Sequence, residues 1–180
     1  MAKVYKGRWT ARPSETDLGG QAPQGSNPGS SSPYGSFVVF LIGMRVNRLL
    51  AVHRWAPVAA AMGPMLRELG KHPELGFLGG MSSIGGRGVM VTQYWRSFDH
   101  LMAYAQQKGG LHMAAWQAFY RRAAKSEAVG IWHETYKIES GASECVYVNM
   151  PRTGLAMWSR HVPAEGHLHD ARARMRVNAS

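Results

Sequence analysis

The segment from Phe37 to Met44 constrains the fold of this chain most strongly. Its eight residues, FVVFLIGM, include no polar side chain and are rich in β-branched and aromatic types. Such a run is typical of a β-strand that is buried on both faces. It is too short to be a bilayer-spanning helix, which needs about 20 apolar residues. A sheet that contains this strand must therefore be covered on both sides.

Apolar spacing and turn residues predict the other elements. Residues 53–71 have helical spacing, and Pro64 is expected to kink or split that helix. The remaining elements are strands at 75–83 and 88–95 with a glycine-rich turn between them, helices at 97–104 and 112–125, and strands at 129–138 and 144–150. This order predicts an α+β fold with a ferredoxin-like split βαβ core. Its helices cover one sheet face, so we expect two copies to pack sheet against sheet as a homodimeric α+β barrel.

The composition divides the chain into three parts. Residues 37–158 form the predicted barrel domain. Residues 1–36 are predicted to hold a strand at 4–10 and then a flexible loop, since 13 of the 18 residues from Gly19 to Ser36 are Gly, Pro or Ser. Residues 159–180 form a basic tail, which we expect to be an exposed or swapped arm.

The charge of the chain is basic but evenly spread. It has 21 Lys and Arg against 11 Asp and Glu, a formal net charge of +10. A nucleic-acid-binding protein would show a clustered basic face and a recognisable module, so we expect neither a nucleic-acid nor a membrane partner. One cysteine, Cys145, makes neither an intrachain disulfide nor a cysteine-based zinc site, and the histidines of the tail are too loosely spaced to predict a metal site. The polar first residues do not resemble a signal peptide, which predicts a cytoplasmic protein.

Candidate functional residues lie mainly in the second half of the barrel domain. His112 and Trp116 are four residues apart and share a helix face. His112 is open to three interpretations: a hydrogen-bonded residue of the helix N-terminus, an acid/base group in a pocket, or an axial haem ligand.

Aromatic and polar side chains on the strands extend this candidate site. The alternation of the strand at 129–138 places Trp132, Glu134 and Tyr136 on one face. With Trp95, they predict either a substrate cavity or a wet dimer interface. Arg45 and Asn47, which follow the first strand, are either a polar handle at a pocket mouth or part of a strand-end turn.

Several strings in order resemble a family of bacterial and fungal monooxygenases, which is similar to the antibiotic-biosynthesis monooxygenase group of dimeric α+β barrels. They are FVVFLIGMRVN at 37–47, QYWRS at 93–97, HMAAW at 112–116, VGIWHETY at 129–136 and YVNMP at 147–151. The resemblance implies an oxidoreductase that deprotonates a small apolar or aromatic metabolite in a hydrophobic pocket, so that the substrate itself reduces dioxygen without metal or flavin.

The same resemblance assigns expected roles to the candidate residues. His112 would take the substrate proton, Arg45 or Asn47 would hold the anion, and the substrate would lie among Trp95, Trp116, Trp132, Glu134 and Tyr136. Relatives of this barrel that bind haem through a helix histidine imply an alternative, a haem-degrading or aldoxime-dehydratase-like protein with His112 as the ligand. A non-enzymatic ligand-binding barrel is the third alternative.

Overall fold

The computed structural model describes residues 2–13, 36–107, 109–122 and 127–177. The chain divides into a core unit, residues 39–136, and a terminal unit, residues 1–38 and 137–180. Of the predicted loop from Gly19 to Ser36, only Ser36 is among the described residues. Among the described residues, no helix combines the length and the apolar character needed to cross a membrane.

The core unit has the predicted element order. Its elements are β2 (Phe37–Val46), α1 (Val52–Lys71), β3 (Phe77–Gly85), β4 (Gly88–Trp95), α2 (Phe98–Gln106), α3 (Leu111–Arg122) and β5 (Val129–Ile138). The four strands form one sheet in the order β3-β4-β2-β5. Helix α1 connects β2 to β3, and β4 lies between these two strands in the sheet. Helices α2 and α3 connect β4 to β5, and β2 lies between those two strands. Each βαβ unit is thus split by a strand of the other. This topology confirms the predicted ferredoxin-like α+β fold.

Helix α1 runs without a break through Pro57 and Pro64. Pro64 therefore does not split this helix, and the kink expected as the alternative stays a prediction. Beyond the proline, Met65 and Leu69 are buried, so core packing on the C-terminal half of α1 offsets the loss of a backbone hydrogen bond.

Strands β3 and β4 form a tight hairpin. Gly85 pairs with Gly88, which leaves Gly86 and Arg87 as the turn. Gly86 has a φ of 58°, in the region that glycine adopts without strain. Ser97 caps the N-terminus of α2, because the backbone N–H of His100 donates to Ser97 Oγ over 3.2 Å.

The terminal unit contains a three-stranded antiparallel sheet. Strand β1 (Val4–Arg12) lies between β6 (Tyr147–Pro151) and β7 (Arg160–Pro163). Trp9 and Ala11 of β1 are buried against Ala156. The predicted division at residues 36 and 158 therefore differs from the observed units, because β6 and the tail both pair with or fold beside the first strand.

The C-terminal tail is not the exposed arm that its basic composition suggests. It contains β7 and then α4 (Ala171–Val177). Arg174 of α4 is 4% exposed and donates through Nε to Glu144 Oε2 over 2.8 Å. Its Nη1 donates to the carbonyl oxygens of Leu168 and His169. These bonds hold the tail within its unit.

Candidate active site

The core unit encloses a cavity of about 450 Å³, walled by residues of β2, α1, β4, α2, α3 and β5. Its walls are mainly apolar and include Phe40, Ile42, Met62, Val91, Leu101 and Phe119. A cavity of this size and character suits a small apolar molecule, with the few polar groups of the wall fixing its orientation.

The charged and titratable residues of the wall are all basic or neutral. They are His53, Arg54, His112 and His133, and no carboxylate occurs among the described lining residues. Arg54 Nε donates to His53 Nε2 over 3.1 Å. This bond requires a lone pair on His53 Nε2, so the His53 ring is neutral in this arrangement. The wall therefore favours neutral or anionic ligands over cationic ones.

His112 lies in the cavity wall with a defined tautomer. Its Nδ1 atom is 3.1 Å from the carbonyl oxygen of Ala105. Because a carbonyl oxygen can only accept a hydrogen bond, Nδ1 carries the proton. The lone pair of the neutral ring is then on Nε2, which is the atom available to take a proton or bind a metal centre.

Trp116 lies in the wall one helical turn beyond His112. Its ring centroid is 4.9 Å from that of Tyr120 and 6.0 Å from that of Phe119. The structure thus brings together the two α3 residues that the helical spacing paired. Their roles in binding or catalysis stay predictions.

Tyr104 supports the His112 region from outside the cavity wall. Its hydroxyl donates to Glu68 Oε2 over 2.9 Å, and its ring centroid is 6.1 Å from that of His112. Burial first, and then the hydrogen bond to Glu68 and the charge of Glu68, raise the pKa of Tyr104 well above its ordinary value. The phenol thus stays protonated and acts as a fixed donor.

The two faces of β5 have the opposite assignment from the one expected. Ile131, His133 and Thr135 line the cavity. Trp132, Glu134 and Tyr136 lie on the other face, so the expectation that they form a wall of the cavity is wrong.

Strand β2 explains this orientation of β5. A Cβ atom on Gly43 would lie 2.6 Å from the Trp132 ring, so the indole packs directly on the Gly43 backbone. On the same face of β5, Tyr136 donates to Glu134 Oε2 over 2.6 Å. That hydrogen bond and the Glu134 charge raise the pKa of Tyr136.

Three other predicted site residues also lie outside the cavity wall. Trp95 is fully buried in the core, where its Nε1 donates to Gln93 Oε1 over 3.0 Å. Arg45 Nη1 donates to Asn47 Oδ1 over 3.3 Å, and Asn47 Nδ2 donates to the Glu127 carbonyl over 3.0 Å. Arg45 and Asn47 are thus together, at the C-terminal end of β2.

Sequence reasoning missed the three titratable residues of the wall other than His112. His133 is on the unexpected face of β5, while His53 and Arg54 occupy the first turn of α1. The sequence feature that could have identified His53 and Arg54 is a pair of adjacent basic residues at the start of a helix, α1, that directly follows a strand, β2. This connection leaves the C-terminal end of the central strand β2, next to the cavity between the sheet and the helices.

The fold and the cavity define a ferredoxin-like α+β protein whose core unit contains a mainly apolar cavity. Residues 37–155 match the model of the Monooxygenase af470-like family, and the chain belongs to that family. This confirms the resemblance seen in the sequence.

A curated relative is Monooxygenase af470 of Aspergillus fumigatus. It is 27% identical over 166 residues, which are 83% of this chain and 53% of the relative. The chain therefore spans about half the length of the curated relative that it matches.

Solved structures of similar fold include an aldoxime dehydratase in complex with butyraldoxime, with a TM-score of 0.62 at 14% identity over 88% of this chain and 44% of that one. The cofactor-independent oxygenase SnoaB of Streptomyces nogalater gives a TM-score of 0.41 at 12% identity over 57% of this chain and 92% of that one. At such identities the likeness is one of fold alone.

Proposed function

We propose that the core unit is the catalytic domain of a monooxygenase-type enzyme that oxidises a small apolar molecule with an acidic C–H bond, aromatic or enolisable, without metal or flavin. Membership of the monooxygenase family supports the reaction class. The observation that carries the proposal is the placement of His112 in an apolar wall, with Nδ1 bound to the Ala105 carbonyl.

In the proposed reaction, His112 Nε2 takes the proton from the substrate carbon. The carbanion adds to dioxygen, and the resulting peroxide recovers the proton from the imidazolium. The carbon that carries the hydroperoxide then loses its second hydrogen as the O–O bond breaks, which leaves a carbonyl group and water. The reacting carbon must therefore carry two hydrogens, and one oxygen atom enters the product while the other leaves as water. The substrate supplies the electrons, and no external reductant is needed. The apolar walls exclude water and so strengthen each electrostatic contact with the anion.

Arg54 is the residue that we assign to anion stabilisation. It lines the cavity and carries a permanent positive charge beside the neutral His53 ring. A delocalised enolate or phenolate oxygen near this guanidinium would be stabilised before the reaction with dioxygen begins. This assignment replaces Arg45 and Asn47, which do not line the cavity.

Dioxygen consumption tests the proposal. A panel of phenolic and enolisable compounds should include one that the wild-type protein oxidises, and His112→Ala should abolish that turnover. The matched control is His72→Ala, since His72 is exposed and pairs with Glu74 over 2.7 Å away from the cavity. Loss of turnover in both variants, or in neither, would contradict the role of His112.

Haem binding is the second candidate function, and the same hydrogen bond favours it. A histidine that binds a metal centre through Nε2 usually donates its Nδ1 proton to a backbone carbonyl or a carboxylate, as His112 does to Ala105. The residues fit the group: apolar walls suit the macrocycle, while His53 and Arg54 suit its carboxylates. When bound, haem would supply redox or Lewis-acid chemistry at its iron.

Haem addition separates the two candidates. A Soret band that His112→Ala removes would favour the haem protein, and no band at any haem ratio would rule it out. Tight ligand binding without turnover or haem uptake would instead indicate a non-enzymatic ligand-binding barrel.

We also propose that two copies associate through the sheet face that bears Trp132 and Tyr136, whose side chains are 39% and 48% exposed. Sedimentation at micromolar concentration should return a dimer mass. Tyr136→Glu should shift the protein towards monomer, because a second carboxylate beside Glu134 is costly to bury at an interface. Tyr120→Glu, on another exposed tyrosine, should not. A wild-type protein that is folded and monomeric at this concentration would contradict the proposed dimer.

A further inference from the structure

Four exposed aliphatic residues lie at one end of the core unit. They are Leu50, which is 97% exposed, Ile84 at 88%, Leu49 at 59% and Val52 at 50%. We call these four residues the apolar tip. Leu49 and Leu50 belong to the β2–α1 connection, Val52 is the first residue of α1, and Ile84 precedes the β3–β4 turn. Single exposed aliphatic residues are ordinary, but several at one end of a unit indicate an interaction surface.

Hydrogen bonds hold these two segments at the same end of the sheet. The N–H of Val46 donates to the Arg87 carbonyl over 2.7 Å, and Arg87 Nη2 donates to the Asn47 carbonyl over 2.9 Å. The apolar tip is therefore a feature of the sheet end as a whole.

The loop that carries the two leucines is ordered by its own contacts. Trp55 Nε1 donates to the Leu49 carbonyl over 3.0 Å, and the N–H of Ala51 donates to the Arg48 carbonyl over 3.1 Å. The backbone is thus fixed while the leucine side chains face solvent. A preorganised loop loses little conformational entropy when its side chains enter another phase.

Basic residues surround the apolar tip. Arg45, Arg48, Arg54 and Arg87 all have exposed side chains. No Asp or Glu occurs between residues 36 and 67. Glu127, whose backbone carbonyl accepts from Asn47, is an acidic residue that also lies at this end. An aliphatic tip ringed by arginines matches a bilayer with anionic headgroups, since the aliphatic groups enter the acyl boundary while the guanidinium groups bind phosphates.

The cavity begins next to the apolar tip. His53 and Arg54 directly follow Val52 in the chain, line the cavity and have exposed side chains. Trp116 on α3 also lines the cavity and is exposed. Exposed lining residues mark the opening of the cavity, so part of that opening lies one helical turn or less from the apolar tip.

We propose that this end of the core unit docks on the surface of a bilayer that contains anionic lipids. This proposal departs from the expectation of no membrane partner, which rested on the even spread of charge along the sequence. Leu49, Leu50 and Val52 enter the boundary of the acyl chains, and Arg45, Arg48 and Arg87 contact the headgroups. The cavity opening then lies beside the phase in which an apolar molecule concentrates. The docking goes beyond the proposed function and does not depend on it, because it requires neither turnover nor haem.

Co-sedimentation of the full chain with lipid vesicles tests the docking. The protein should bind vesicles of mixed phosphatidylcholine and phosphatidylglycerol more tightly than vesicles of phosphatidylcholine alone, and added salt should weaken that binding. Replacing both leucines, Leu49→Ser with Leu50→Ser, should weaken binding at least about tenfold. Arg48→Glu should also weaken it and should reduce its salt dependence. Leu111→Ser, which changes an exposed leucine at the start of α3, is the matched control and should bind like the wild type.

Two further measurements keep the test decisive. Leu50→Trp should show more quenching by brominated lipids than the wild-type tryptophans alone, and this readout does not rely on a weakened variant. Sedimentation without lipid shows whether a second copy covers the tip. Absence of vesicle binding, binding indifferent to lipid charge, an unaffected double-leucine variant, or a dimer that only the double-leucine variant dissociates would each overturn the proposal.

Discussion

His112 Nδ1 donates a hydrogen bond to the carbonyl oxygen of Ala105, with 3.1 Å between the two atoms. Ala105 is the penultimate residue of α2, and carbonyls in the last turn of a helix have no partner within it. The imidazole therefore satisfies a helix end as well as occupying the cavity wall. A positive charge on this ring during proton transfer would also be stabilised by the C-terminal end of the α2 dipole.

His112→Ala should therefore cost some stability as well as function. We expect the free energy of unfolding to fall by about 1 kcal/mol, because one partly buried carbonyl loses its donor. Urea unfolding measures this, and His72→Ala should change the value by less than about 0.5 kcal/mol because its ion pair is exposed. A loss above about 3 kcal/mol would mean that His112 is mainly a structural residue.

Gly43→Ala should destabilise the core unit by about 1–3 kcal/mol, because the new methyl group would meet the Trp132 ring. In a Trp132→Leu background the same change should cost much less, since the smaller side chain can move aside. A double-mutant cycle measured by chemical unfolding gives the coupling between the two positions. Additive effects would show that the indole does not rest on Gly43.

Helix α3 and strand β5 show what the sequence could and could not predict about the site. The i, i+4 spacing of His112 and Trp116 fixes their shared face, because every α-helix has the same period. Alternation along β5 separates Trp132 from His133 with equal certainty, but it does not say which face meets the helices. That choice depends on the close approach of β5 to Gly43, a contact between strands far apart in the sequence.

The order of the elements was enough to predict the ferredoxin-like topology. Strand connections follow a few rules of handedness and adjacency, so element order leaves few arrangements. The location of the basic residues did not follow from such rules. Arg45 lies near the end of β2 and Arg54 in the first turn of α1, yet only Arg54 lines the cavity. The path of the loop between them determines which of the two side chains reaches the cavity.

The tail was mispredicted because its basic composition does not show which arginine forms a buried ion pair. Arg174→Met tests the pair between Arg174 and Glu144. The change would leave Glu144 and the Leu168 and His169 carbonyls without their donor. We expect a loss of about 3 kcal/mol in the terminal unit and faster trypsin cleavage of the tail. Arg172→Met, at an exposed position on the same helix, should change stability by less than about 0.5 kcal/mol. Equal effects of the two variants would contradict the buried role of Arg174.

Acidification should weaken the terminal unit through His161. Its ring centroid lies 4.3 Å from that of Trp9 and 4.6 Å from that of Tyr5. Burial first, and then the charges of Arg152 and Lys3, lower the pKa of His161. The unfolded chain therefore binds a proton at a higher pH than the folded chain does. Stability from this residue is complete above the ordinary histidine pKa of about 6.5 and is lost as the pH falls through it towards the lowered value.

Unfolding midpoints from about pH 7.5 to about pH 5.5 should reveal this effect, since the range spans the ordinary histidine pKa. The wild-type midpoint should fall across the range, and His161→Phe should flatten the fall by removing the titrating group while keeping a ring beside Trp9. His167→Phe is the control, because His167 is exposed and its loss should leave the acid sensitivity in place. If His161→Phe is as acid-sensitive as the wild type, the loss of stability arises from another group.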